Sequence, residues 1–197
     1  MAITKRTDLK LVVDDLSSLL IQKTPIKITA GSSGQPGTVT LAPELDVPVT
    51  VDTLQTSGSE PSITHYKVIG MDTDWTSSAT AGDWTVAFTV PSLHTDIIKF
   101  AWGDSAVKSV TATVKDTDTG GLITAGTYTG SSVTFNSKKV ECSLVIVSGS
   151  KDKLVVIRNA NLWANILKDA NGDPYAVRFT GTISSDGDDV IILEKTA

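Results

Sequence analysis

Between Trp84 and Val90 apolar and polar residues alternate strictly: Trp84, Val86, Phe88 and Val90 share one face, Thr85, Ala87 and Thr89 the other. Successive side chains of an extended chain point to opposite sides, so a period of two predicts a strand over 83–90 with one buried face. Shorter runs of β-branched and aliphatic residues predict strands at 26–29, 38–41, 47–51 and 65–69. In the second half the pattern predicts strands at 106–115, 132–135, 138–147, 153–162, 175–183 and 190–194, with turn groups at 118–121, 148–150, 171–174 and 186–189.

One stretch breaks the period. Leu93, Ile97, Phe100 and Ala101 recur at helical spacing until Gly103, which predicts one short helix over 93–101 packed against a sheet. Ser92 stands where an N-cap hydroxyl can accept from a first-turn amide, and Asp96 and Lys99 match the helix dipole at its two ends. At the start of the chain Leu9, Val12, Val13, Leu16, Leu19 and Leu20 fit a helical stripe, while 10–13 and 19–22 read equally as short strands. An extended N-terminal arm is one form this segment can take.

Gly31, Ser32, Ser33, Gly34, Gln35, Pro36 and Gly37 form a breaker cluster that predicts a flexible loop, and the polar stretch 56–62, with Gly58 and Pro61, predicts another. Many short strands without helices between them point to a mainly β fold, an antiparallel β-sandwich or barrel-like domain. Neither a fixed-period repeat nor a linker divides the chain, so 1–197 reads as a single domain.

Composition sharpens this picture. At 197 residues, 40% apolar and 20% charged, the chain can bury a core without a disulfide or metal to hold it. A net charge of −5 disfavours sequence-independent binding of polyphosphates. Cys142 is alone, inside the apolar run 140–147, which excludes an intramolecular disulfide and predicts a buried structural thiol. Leu11 to Val13 is cut short by Asp14 and Asp15, too brief for a secretory apolar region, and a run of the roughly 20 apolar residues that a membrane helix needs is not found. The expectation is a chain that folds in a reducing cytoplasm, with no membrane partner.

Catalytic and cofactor chemistry finds little to hold it. His65 and His94 lie on separate predicted elements without Cys or carboxylate at ligand spacing, which speaks against a zinc site or a triad. Gly120, Gly121 and Gly126 fit neither phosphate-binding fingerprint. Asp169, Asn171 and Asp173 imitate the first three ligands of a calcium loop, but Pro174 stands where that loop needs Gly and Thr180 where it needs Glu, so a tight turn is the preferred reading. Asp116 and Asp118, and Asp186, Asp188 and Asp189, read as solvated turns. Trp84 and Trp163 lie within apolar patterns and are expected in the core; Trp75 and Trp102 flank loops. A non-enzymatic protein without cofactors is expected.

Two stretches, DWTVAFTVPSLHTDIIKFAWG over 83–103 and the pair VVIRNANLWANI and DPYAVRFTGTI over 155–183, resemble the major tail tube proteins of long-tailed bacteriophages and prophages. Val86, Phe88, Val90 and Pro91 match the strand that leads into a helix in that family, and Asn159, Ala160, Leu162, Phe179, Thr180 and Gly181 match its late strands. The resemblance implies a virion structural subunit that forms rings, usually hexameric, stacked into a conduit through which DNA passes without specific binding. It also implies tape-measure and terminator proteins as partners. Ser32, Ser33, Gly34 and Gln35, with Thr56, Ser57, Gly58 and Ser59, are then candidate contacts between rings. The alternative is a non-catalytic carbohydrate-binding or adhesive β-sandwich module, with exposed tryptophans as sugar platforms; a hydrolase on a β scaffold ranks third.

Overall fold

The computed structural model describes residues 16–33, 35–50, 52–67, 69, 76–80, 82–115, 121–136, 138–168, 174–184 and 190–196. In chain order they form β1 (Leu16–Gln22), β2 (Ile28–Thr29), β3 (Thr38–Val39), β4 (Leu45–Val47), β5 (Gln55–Gly58), β6 (Ser62–Tyr66), β7 (Thr76–Thr80) and β8 (Trp84–Val90). Then follow α1 (Thr95–Trp102), a 3-10 turn (Asp104–Ala106), β9 (Val107–Val114), β10 (Gly126–Val133), β11 (Val140–Ser148), β12 (Lys153–Leu167), β13 (Ala176–Ile183) and β14 (Val190–Glu194). The protein is mainly β, with antiparallel sheets in a sandwich-like arrangement and one α-helix among the described residues.

The principal sheet runs β4-β1-β11-β12-β13-β8-β5, and β14 pairs with the first half of β12. The 15 residues of β12 serve two partners on one side, β14 along Lys153 to Ile157 and β13 along Ala160 to Leu167. Its borders, β4 and β5, are near neighbours in sequence. Eight residue steps from Val47 to Gln55 reach at most about 29 Å when fully extended, while six strand gaps across a flat sheet span roughly 29 Å. A turn in which Thr53 N donates to Thr50 O (3.2 Å) shortens the reach, so the sheet must curl. Thr50 N donates to Thr89 O (2.9 Å) and Thr89 N to Thr53 Oγ1 (3.1 Å), which ties the crossing segment to the end of β8. The sheet does not close into a barrel: β4 pairs with β1, and β5 with β8.

Each face of this sheet buries a different cluster. On one, Val86, Phe88 and Val90 meet Val177, Phe179, Leu144, Ile157 and Leu162 under α1, which contributes Ile97, Phe100 and Trp102. Phe179 stacks on Phe88 at a centroid distance of 5.0 Å and contacts Phe100 at 5.5 Å. On the other face Ile26, Val145 and Val156 form a smaller cluster with Val39, Leu41, Leu154, Ile191 and Leu193, next to the β2–β3 ladder. A register shift between Cys142 and Leu144 sets Ser143 at a bulge. There Ser143 Oγ accepts from Ile26 N (2.8 Å) and donates to Arg158 O, while Arg158 Nε donates to Ile26 O (3.1 Å). The bulge thus fastens the segment between β1 and β2 to the sheet, with both backbone groups of Ile26 paired.

Several expectations are corrected. The stretch 56–62 is a loop only over 59–61: Gln55–Gly58 pairs with β8 and Ser62–Tyr66 pairs with β7. An edge strand needs only backbone partners, so a polar, Gly-containing sequence can occupy it while alternation gives no sign. Helix α1 begins at Thr95, not at 93, and its cap is His94, whose Nδ1 accepts from Asp96 N (3.4 Å); Ser92 Oγ accepts one step earlier, from His94 N (3.1 Å). Trp84 and Trp163, expected in the core, are 54% and 41% exposed. Trp84 lies at the end of β8 opposite Gly58, and Trp163 points away from the face that Leu162 buries. Trp102, by contrast, is buried and makes an edge contact with Phe135 at 5.1 Å. The strand expected at 132–135 instead spans Gly126–Val133, and the segment left open at 19–22 is part of β1.

Cys142 is fully buried in the larger cluster, and burial pushes its thiol up to about 12. Since the thiolate is the nucleophile, the native protein should resist a disulfide reagent at mildly alkaline pH for as long as it stays folded. One thiol per chain should then titrate in denaturant. Rapid labelling of the native state would show that β11 is not buried as described.

Candidate assembly surface

Two ladders stand apart from both clusters. β9 and β10 pair without a break from Val107↔Val133 to Val114↔Gly126. Among the described residues it is their base that is tied down: Val107 and Val133 touch the larger cluster, Thr134 N donates to Ala106 O (2.9 Å), and Thr95 Oγ1 lies 3.4 Å from Ser131 Oγ. Beyond that, Lys108 to Thr113 and Gly126 to Gly130 are exposed and Val114 is half-buried. A two-stranded ladder is marginal in water without a covered apolar face.

The register gives this hairpin two unlike faces. Ser109, Thr111, Thr113, Thr127, Thr129 and Ser131 share one, with Val107 and Val133 at its base; Val110, Ala112, Val114 and Tyr128 share the other, with Lys108 and Ser132 at its base. Val110 and Tyr128 are 46% and 45% exposed, so the apolar face is presented to solvent and not to the protein's own core. Tyr128 is held in place by its hydroxyl, which donates to Thr124 O (2.6 Å). The second ladder, β6–β7, is exposed throughout, with Ile63 and Tyr66 among its open side chains. Along β14, Val190 and Ile192 are also exposed, and the described residues pair only one side of this strand, with β12.

The sequence-derived contact residues fall on separate sheets. Ser32, Ser33 and Gln35 are exposed in the connection between β2 and β3, where Gln35 N donates to Ser32 O (2.8 Å); Gly34 lies outside the described residues. Thr56, Ser57 and Gly58 belong to β5, and Ser59 follows, its N donating to Asp83 O (2.9 Å) and its Oγ accepting from Asp83 N (2.8 Å). Ser57 Oγ and Thr85 Oγ1 are 2.9 Å apart, on the polar face of the sheet. These two groups do not form one site. The exposed apolar positions Val110 and Tyr128, which sequence reading left unassigned, are the stronger interface signal; the alternation of 109–114 carries it, once the core is known to lie elsewhere.

The calcium-like residues Asp169, Asn171 and Asp173 lie outside the described residues, as do Asp116, Asp118, Asp186, Asp188, Asp189 and Trp75. Among the described residues no group of three or more His, Cys, Asp or Glu side chains could hold a metal ion. His65 is on β6 and His94 caps α1, on separate elements as their spacing predicts. No described helix is long and apolar enough to cross a membrane.

On the uncovered side of β12, β13, β8 and β5, Trp163 borders a shallow cavity of about 380 Å³ with Ser57, Thr85, Thr180 and Thr182. Arg178 shares this side of β13 with Thr180 and Thr182. The arrangement offers hydroxyl groups and one aromatic face without a convergent acid–base pair. The chain matches neither a model of a known protein family nor a curated protein.

Proposed function

We propose that the chain is a structural, non-enzymatic subunit of a phage or prophage tail tube, made in the bacterial cytoplasm and incorporated into the virion. The observation that carries this reading is the β9–β10 hairpin, whose apolar face has no cover within the chain's described residues. A monomer gains nothing from holding such a ladder out in water; an assembly gains a preformed interface. Sheet edges and exposed ladders are the parts from which neighbouring copies can extend one another, each added backbone hydrogen bond contributing about 1 kcal/mol net. Tape-measure and terminator proteins are the further partners in this reading. DNA passes along a wall that does not grip it, in keeping with the net charge of −5.

Purified full-length protein, viewed by negative-stain microscopy and sedimentation at rising concentration, should form rings or tubes. A monodisperse monomer at all concentrations would sink the proposal. A second reading, the glycan-binding module, is favoured by one observation, the exposed indole of Trp163 beside the hydroxyls of Thr85, Thr180 and Thr182. A monomer that binds glycans by calorimetry, and stops doing so as Trp163→Ala, would establish that reading instead.

A further inference from the structure

The open side of β12, β13, β8 and β5 places a cation beside the indole of Trp163. Trp163 faces Thr180 across the ladder, and one row along lie Thr182, Thr85 and Ser57, all of which line the cavity of about 380 Å³. In the opposite direction the next residue of β13 on this side is Arg178, the diagonal neighbour of Trp163 at roughly 7 Å. Arg178 is exposed, and among the described residues no carboxylate lies within ion-pair distance of it. Thr85 and Ser57 hold each other's hydroxyls at 2.9 Å, so Thr180 and Thr182, both exposed, are the pair open to a ligand.

Each feature matches one part of an acidic sugar. An indole that is 41% exposed offers an apolar face to the C–H bonds of a pyranose ring. Threonine hydroxyls, which both donate and accept, meet the hydroxyls of the sugar. The guanidinium fork pairs a planar carboxylate through two parallel bonds, and from the diagonal position it reaches a substituent of a ring stacked on the indole. A neutral glycan would leave that cation without a partner.

A nucleic-acid strand shares the stacking and the anion but carries a charge on every unit, and proteins follow it with a line of cations. The rows around Trp163 carry a single one, Arg178, on a chain whose net charge is −5. One cation beside one aromatic ring suits a glycan with one carboxylate at the site.

We infer that this side of the sheet binds a uronic acid unit of a glycan, its ring on Trp163 and its carboxylate on Arg178, a proposal that rests on the glycan reading of this side and narrows it to one class of sugar. Calorimetry on the full chain compares a glucose oligosaccharide that ends in one glucuronic acid with the same oligosaccharide ended by glucose. The acidic ligand should bind about tenfold more tightly or better, the contribution of one charge-assisted pair, and the preference should shrink as salt is added. Arg178→Gln should remove the preference and leave the neutral binding as it was, while Trp163→Ala loses both ligands. Both positions are exposed, so the thermal melts of the variants should stay at the wild-type value. Equal affinity for the two ligands, or a preference that survives in Arg178→Gln, overturns the acidic class and leaves the glycan reading standing. Binding of neither ligand overturns both. An oligothymidylate that binds more tightly than the acidic ligand, and is lost in Trp163→Ala, overturns the proposal in favour of a nucleic-acid strand.

Discussion

Phe179→Ala is expected to destabilise the protein by about 3–5 kcal/mol, enough to unfold a marginal domain outright. The ring is fully buried at the centre of the principal sheet. It stacks on Phe88, its direct partner across β13 and β8, and contacts Phe100 from the helix above. Truncation removes the contact that joins both strands to α1 and leaves a cavity that a sheet held by ladders on either side cannot collapse to fill. Urea titration followed by far-ultraviolet circular dichroism measures the loss. Thr180→Ala, the next residue along but on the opposite face, should change stability by no more than about 0.5 kcal/mol. Equal effects at 179 and 180 would mean that the burial described for β13 is wrong.

The contrast between neighbours also shows what was legible in the sequence. Where one face of a strand is buried, period two announces it, and β8, β13 and β14 fall close to where alternation puts them, while β11, buried on both faces, shows as a continuous apolar run. Alternation says only that two faces differ. It cannot say which is covered, or by what, and so Trp84 and Trp163 sit in apolar runs yet reach solvent, while Trp102 at a helix end is buried. Polar edge strands such as β5 and the β6–β7 ladder leave no periodic trace, because backbone pairing makes no demand on side-chain polarity.

The candidate interface was harder to read for a related reason. Within 109–114 the residues Val110, Ala112 and Val114 alternate with Ser109, Thr111 and Thr113 as a half-buried strand should, although Val107 and Lys108 break the phase. What sequence could not supply is that Lys108 to Thr113 and Gly126 to Gly130 of this hairpin stay exposed among the described residues. A pattern that predicts burial, found on a ladder exposed in the single chain, is the conflict on which the proposed assembly reading rests. The loop residues chosen for their composition, Ser32 to Gln35 and Thr56 to Ser59, carry no such conflict between pattern and exposure. Composition marked turns there, and one of the two stretches is a strand.

Gly181→Ala should cost at least about 1–3 kcal/mol although it adds a single methyl group. Gly181 lies opposite Leu162 on β12 and opposite Val86 on β8, in the middle of the sheet. A Cβ there would come within 1.8 Å of the carbonyl oxygen of Asn161 and 2.8 Å of its carbon. These are backbone atoms, which cannot rotate aside as a side chain could, so the strands must part where β13 and β12 are paired. Gly130 on β10 provides the opposite case: an added Cβ meets nothing within 4 Å. There Gly→Ala removes unfolded-chain freedom and should be neutral or stabilise by about 0.5–1 kcal/mol. The thermal melt should therefore fall for Gly181→Ala and stay level or rise for Gly130→Ala. A Gly181→Ala protein as stable as wild type would show that β12 and β13 approach less closely than their register requires, and with it the curl that brings β4 and β5 within one short segment of each other.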